Sequence, residues 1–217
     1  GMGTAAKNKK LNENIYKLIK MIEKNGDSVI ADFNVVIDEN GEFAFNVEGT
    51  KMLRFLADIY GKVYIDDLED DERNATADDV IEYLGGTGSG CFRIGDYETE
   101  GDSSSQFVVG KGYTKEELLK MVTIRYNMKL TSFRKYVGTT VAKDVCEETV
   151  AVVMENMDQL EGVTIEEDTA RRYHESEYFA QLLGYTGKIS SDELTELNAK
   201  EEENGGDSQR YTVTDVV

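Results

Sequence analysis

The chain has 217 residues, 40% of them hydrophobic and 31% charged, and its 43 acidic against 24 basic side chains give a formal net charge of −19. That length supports one large domain or two small lobes with a real core. The acidity argues against a nucleic-acid partner, which needs clustered cations. No apolar run reaches the roughly 18 residues of a bilayer span, and no signal-peptide pattern opens the chain. Gly1 before Met2 reads as an expression scar, so the chain is expected to be an excised fragment. Cys91 and Cys146 are the only cysteines, and their spacing leaves open whether they pair or are two small apolar residues.

In chain order, Leu11, Ile15, Leu18, Ile19 and Ile22 share one helical face, and Asn25-Gly26 ends that helix. Strands are expected over 29–33 and 35–38. Glu39-Asn40-Gly41 is a hairpin signal, with return through the alternating Phe43, Phe45 and Val47. Asp38-Glu39-Asn40-Gly41 has the look of half a calcium loop, but the twelfth position falls at Gly49, so a turn is expected. A helix over 50–60 closes at Gly61. The acidic run 66–72 is expected to be a solvated loop, with metal binding as the lesser reading.

Thr76 and Asp79 form a capping box for a helix to Leu84. The glycine run 85–90 fails the G-x-G-x-x-G spacing at Cys91 and is expected to be a flexible loop, as is 101–105. Thr114 and Glu117 box a helix carrying Leu118, Leu119, Val122 and Tyr126. A strand over 136–142 follows, then a helix capped by Asp144 and Glu147 through Val150, Val153, Met154 and Met157. Residues 163–173 are extended. Tyr178-Phe179-Ala180-Gln181-Leu182-Leu183 is expected to be a short helix stopped by Gly184, and Ser190 with Glu193 caps a last helix. This interleaving has neither a βαβ rhythm nor a fixed repeat. The fold class is α+β, short helices among small antiparallel or mixed sheets, in two lobes.

Residues 170–190, ARRYHESEYFAQLLGYTGKIS, hold the most distinctive pattern. Arg171, Arg172 and Tyr173 precede the apolar run, and Gly184-Tyr185-Thr186-Gly187 follows it. This resembles the R-x-Y-P … A-H-x-x-G-Y-x-G segment of the non-catalytic module of class B penicillin-binding proteins, the membrane-anchored transpeptidases that cross-link peptidoglycan. Upstream, Thr140 to Val145, Glu147 to Ala151 and Glu161-Gly162-Val163-Thr164-Ile165 resemble that module's strand, helix and Pro-Gly-Val strand. Downstream, Tyr211 and Asp215-Val216-Val217 resemble the start of its Y…D-x-V-G-K-x-G-x-E motif. The resemblance is firm from about Tyr113 onward and looser from Leu11 to Ile94. His174 and Glu161 stand where the family has proline, and Gln181 where it has histidine; the chain contains no proline at all.

The resemblance implies a penicillin-binding-protein dimerisation-domain-like fold. Residues 1–10 would be scar and linker, 11–112 an N-terminal lobe, and 113–217 the core bearing the motifs. It implies a pedestal on the extracytoplasmic face of the bacterial membrane, with the anchoring helix and the transpeptidase domain outside this fragment. The implied partners are that transpeptidase domain and other membrane-anchored wall-synthesis proteins, engaged by an apolar patch in residues 11–160. The implied structural site is Arg171, Arg172, Tyr173, Gly184, Tyr185, Gly187 and Asp215, with one arginine as a clamp between motifs. Neighbours on a strand face opposite ways, so only one of the two arginines is buried; a solvent-exposed pair is the other reading, and the residues leave both open.

No cofactor, metal or catalytic group is expected in the fragment. Ser132-Phe133-Arg134-Lys135 satisfies S-x-x-K, and a stand-alone serine acyltransferase using Ser132 and Lys135 is the alternative. The tetrad leads into a strand, however, and S-x-N and K-T-G partners are absent. His174 is the only histidine and has no serine or cysteine partner. Two cysteines and one histidine are too few for a zinc site. Gly184 to Ser190 fails the Walker spacing. An unrelated acidic extracellular binding module is the third reading. Charge repulsion and the lack of a heptad seam predict a monomeric fragment.

Overall fold

The structure, a computed structural model, describes residues 3–132, 138–168 and 177–182. The chain divides into two compact units, Gly1–Asn12 with Ala31–Thr123, and Glu13–Ile30 with Ile124–Val217. The described elements are helices and small antiparallel sheets, an α+β fold.

Helix α1 (Thr4–Lys24) buries the whole expected face, Leu11, Ile15, Leu18, Ile19 and Ile22. Gly26, at φ 86°, ends it in the left-handed conformation that suits glycine.

In the first unit, β1 (Val35–Ile37) and β2 (Phe43–Phe45) form the expected hairpin, with Val35 opposite Phe45. Asp38 makes its turn: Oδ1 accepts the N–H groups of Asn40 and Glu42, both at 2.9 Å. The carboxylate is thus occupied as an Asx-turn acceptor. The strand expected over 29–33 does not form. Val29 and Phe33 are buried but Ala31 between them is exposed, so the alternation of a half-buried strand is not realised.

Helix α2 (Gly49–Ile59) buries Phe55, Leu56, Ala57 and Ile59. The Phe55 ring meets Phe33 and Phe45 edge-on, with centroids 5.3 and 6.1 Å away. The acidic run 66–72 is more ordered than the solvated loop expected of it. It folds as a 3-10 turn (Ile65–Asp67) and helix α3 (Asp70–Arg73). Its carboxylates reach back as acceptors, Asp67 to the Tyr64 N–H at 3.3 Å and Glu72 to the Glu69 N–H at 2.9 Å. A carboxylate three residues past an N-cap does this whatever the net charge of the run.

Helix α4 (Ala77–Gly85) opens on the expected box: Thr76 N–H donates to Asp79 Oδ2 at 2.8 Å, and Asp79 N–H to Thr76 Oγ1 at 3.1 Å. The glycine run after it begins as packed structure. A Cβ on Gly85 would lie 2.5 Å from Val109 Cγ1, and the carbonyls of Gly85 and Gly86 accept the N–H groups of Ile94 and Arg93. The Val109 side chain fills the space that a Cβ on Gly85 would need, which is the reason for glycine there. Strands β3 (Gly95–Tyr97) and β4 (Phe107–Val109) pair antiparallel. Helix α5 (Lys115–Thr131) starts on the Thr114–Glu117 box, with reciprocal bonds of 2.9 and 3.1 Å.

In the second unit, β5 (Thr139–Val145), α6 (Glu147–Glu155), β6 (Val163–Asp168) and β7 (Glu177–Leu182) form a helix and a three-stranded sheet of order β5-β7-β6. Both pairings are antiparallel, and Ala180 lies opposite Ala142 on one side and Ile165 on the other. Val141, Ala142, Val145, Val153, Leu160 and Val163 are core residues of this unit.

Two expectations fail here. The apolar run from Tyr178 is the central strand of the sheet, not a short helix. Six residues are too few to nucleate a stable isolated helix, whereas a strand here pairs with a neighbour on each edge. Asp144 does not cap α6. It belongs to β5, with φ 53°, and the N-cap is Cys146, whose side chain makes no capping bond.

Candidate interaction surface and the serine–lysine tetrad

The residues singled out by their pattern, Arg171, Arg172, Tyr173, Gly184, Tyr185, Gly187 and Asp215, lie outside the described residues, as do Lys135 and His174. What is described between them is β7, which carries the middle of the motif through the centre of the second unit's sheet.

Ser132 follows the C-terminal end of α5. Its hydroxyl donates to the Lys129 carbonyl at 2.8 Å. An S-x-x-K nucleophile needs the opposite pole, where free N–H groups and the positive end of the helix dipole favour a developing oxyanion. At a C-terminus the nearby groups are carbonyl oxygens, which oppose it. Among the described residues no three His, Cys, Asp or Glu side chains are grouped to hold a metal ion. No disulfide joins the two cysteines; Cys91 is buried and Cys146 partly so.

In the second unit, Asp27 supplies the cap that Cys146 lacks. Its Oδ2 accepts the Cys146 N–H at 3.0 Å and the Thr149 hydroxyl at 2.5 Å. Burial pushes this carboxyl up, but the hydrogen bonds from Thr149 and Cys146 outweigh it and hold it below the ordinary value. Sequence reading missed this cap because the helix takes it from a residue far away in the chain.

The first unit carries a polar frame around two exposed apolar side chains. Arg54 lies on α2. Its Nη1 donates to the Val63 carbonyl at 2.8 Å, and its Nη2 to the Lys62 carbonyl at 3.1 Å and to Asp58 Oδ1 at 2.5 Å. From α3, Arg73 Nη2 donates to the Ile65 carbonyl at 2.8 Å. The backbone of residues 62–65 is thereby held at three of its four carbonyls, those of Lys62, Val63 and Ile65, while Val63 and Tyr64 remain 71% and 68% exposed. Lys62 is engaged as well, with Glu72 at 3.3 Å and Glu69 at 3.7 Å. The Tyr60 and Tyr83 rings meet tilted at 46°, with centroids 4.8 Å apart. Burial first, and then the carboxylates of Asp79 and Glu72, push the Tyr60 hydroxyl up to about 12. The i,i+4 spacing of Arg54 and Asp58 was the one local signal for this frame.

The family model of the Penicillin-binding Protein dimerisation domain matches residues 3–217. The chain belongs to that family. No curated protein matches it.

Membership accounts for the chemistry that the tetrad lacks. The dimerisation domain is a non-catalytic module of penicillin-binding proteins, and in this member Ser132 closes a helix where a nucleophile would open one. Among the described residues no helix is long and apolar enough to cross a membrane.

Proposed function

We propose that this dimerisation domain is the pedestal of a class B penicillin-binding protein on the extracytoplasmic face of the bacterial membrane. It positions a transpeptidase domain for peptidoglycan cross-linking and docks other membrane-anchored wall-synthesis proteins. The observation that carries the reading is the family match over nearly the whole chain. The capping of α5 by Ser132 supports the absence of acyl transfer. In this reading one of Arg171 and Arg172 ties backbone carbonyls or a carboxylate where the motifs meet, with Tyr173, Gly184, Tyr185, Gly187 and Asp215 around it. A guanidinium presents five donors in a fixed fork and suits that task. The isolated domain is monomeric, because each copy carries a charge of −19.

Fluorescent penicillin tests the reading. The isolated domain should not label, and Ser132→Ala should change nothing. A stoichiometric adduct on Ser132 in mass spectrometry would overturn the non-catalytic reading in favour of a serine acyltransferase. In the whole gene product, removing residues 3–217 should leave penicillin labelling in place and abolish support of wall synthesis. Retained wall synthesis would sink the pedestal role.

A further inference from the structure

Val63 and Tyr64 are two large hydrophobic side chains that the first unit leaves 71% and 68% exposed. Exposed hydrophobic residues scattered singly need no explanation. These two differ in that the backbone beneath them is fixed. Arg54 and Arg73 approach from α2 and α3 and donate to the carbonyls of Lys62, Val63 and Ile65, and the Tyr64 N–H is taken by Asp67. Three loop carbonyls and one N–H are satisfied by side chains, so the loop is held without burying either apolar group. A loop of this kind loses little further backbone freedom when something docks on it.

The surroundings select the occupant. Between Asp58 and Glu82 the chain carries ten acidic and two basic side chains, and both basic ones are engaged, Lys62 with Glu69 and Glu72 and Arg73 with Ile65. Asp66, Asp70 and Asp71 are exposed. A second copy of the chain, at −19, is repelled from such a surface, and so is an anionic lipid headgroup layer. A basic polypeptide is attracted to it, with Tyr64 offering its ring face to a cation and Val63 an apolar contact.

We propose that the 62–65 loop is a docking knuckle for a cationic segment of another polypeptide that carries an apolar or aromatic side chain among its lysines or arginines. The proposal rests on the reading of this domain as a docking module, and adds to it the place and the partner's chemistry.

The chain has no tryptophan, so the indole of the synthetic peptide KKLWKKL reports binding alone. Titrated with the domain, its emission should shift to the blue, and the affinity should fall as salt rises. Val63→Ser/Tyr64→Ser, at exposed positions that leave the core intact, should weaken binding by about tenfold or more. Asp66→Asn/Asp71→Asn should weaken it more than the charge-matched Glu98→Gln/Glu100→Gln. Circular dichroism confirms that each variant is folded. Unchanged affinity in the Val63/Tyr64 variant, or equal effects of the two charge pairs, would reduce the binding to non-specific attraction and overturn the proposal. So would anionic vesicles, or self-association, depending on Val63 and Tyr64. None of these failures alters the penicillin-labelling result, so the pedestal reading is judged separately.

Discussion

Asp27 caps a helix whose N-cap, Cys146, lies 119 residues further along the chain: its Oδ2 accepts the Cys146 N–H at 3.0 Å, and the Thr149 hydroxyl at 2.5 Å closes the arrangement. The carboxylate thus does for α6 what a local Asp or Ser does for most helices, while joining the segment after α1 to the segment after β5. Removing it as Asp27→Ala should cost about 1–2 kcal/mol, the scale of a lost N-cap, with Asp27→Asn recovering part. Because the hydrogen bonds lower the folded carboxyl's value, its contribution is complete above the unfolded value of 3.8 and is lost as pH falls through the folded one. Urea midpoints of native and Asp27→Ala chains should therefore converge in acid. A gap that persists unchanged down to about pH 3 would refute the capping role.

Asn12 holds together two parts of the first unit. Its Nδ2 donates to the carbonyls of Phe92 and Arg93, both at 3.0 Å, and the side chain is 3% exposed. Arg93 sits at φ 52°, in the left-handed region where a non-glycine residue needs outside support. Asn12→Ala leaves both carbonyls without that donor and should cost about 2–3 kcal/mol. Asn12→Asp replaces the donor by an acceptor facing two carbonyls and should cost more. Denaturant unfolding of the two variants checks the order; equal and small losses would show that solvent or backbone takes over the carbonyls.

Arg171 and Arg172 are expected to differ. If one is the clamp, its alanine variant should lose roughly 2–4 kcal/mol, because the groups it served stay desolvated. The other should lose under about 1 kcal/mol, as surface charges do. Denaturant midpoints compare them directly. Two silent substitutions would leave this domain without an arginine clamp.

Association should follow charge. Each copy carries −19, and among the described residues no element has a sustained heptad seam to offset the repulsion. Sedimentation velocity near physiological salt and micromolar concentration should show a monomer, with any self-association strengthening as salt screens the charge. A compact dimer that survives low ionic strength at nanomolar concentration would contradict it.

The sequence alone determined the elements whose causes lie within a few residues. The α1 face from Leu11 to Ile22, the Thr76–Asp79 and Thr114–Glu117 boxes and the Asp38–Gly41 turn depend on side chains and backbone groups three or four positions apart, so spacing is enough to place them. The α+β class and the family followed from the order of such elements and from the motifs around Tyr178. The tertiary structure decided whatever draws its hydrogen bonds from elsewhere in the chain. The run from Tyr178 is a strand because β5 and β6 flank it; its own periodicity suits a helix equally well. Helix α6 starts at Cys146 because Asp27 is there to receive its N–H, and the 62–65 loop has its shape because α2 and α3 each present a guanidinium to its carbonyls. Backbone polar groups must be satisfied by some partner, and when that partner is distant in sequence, no local pattern records it.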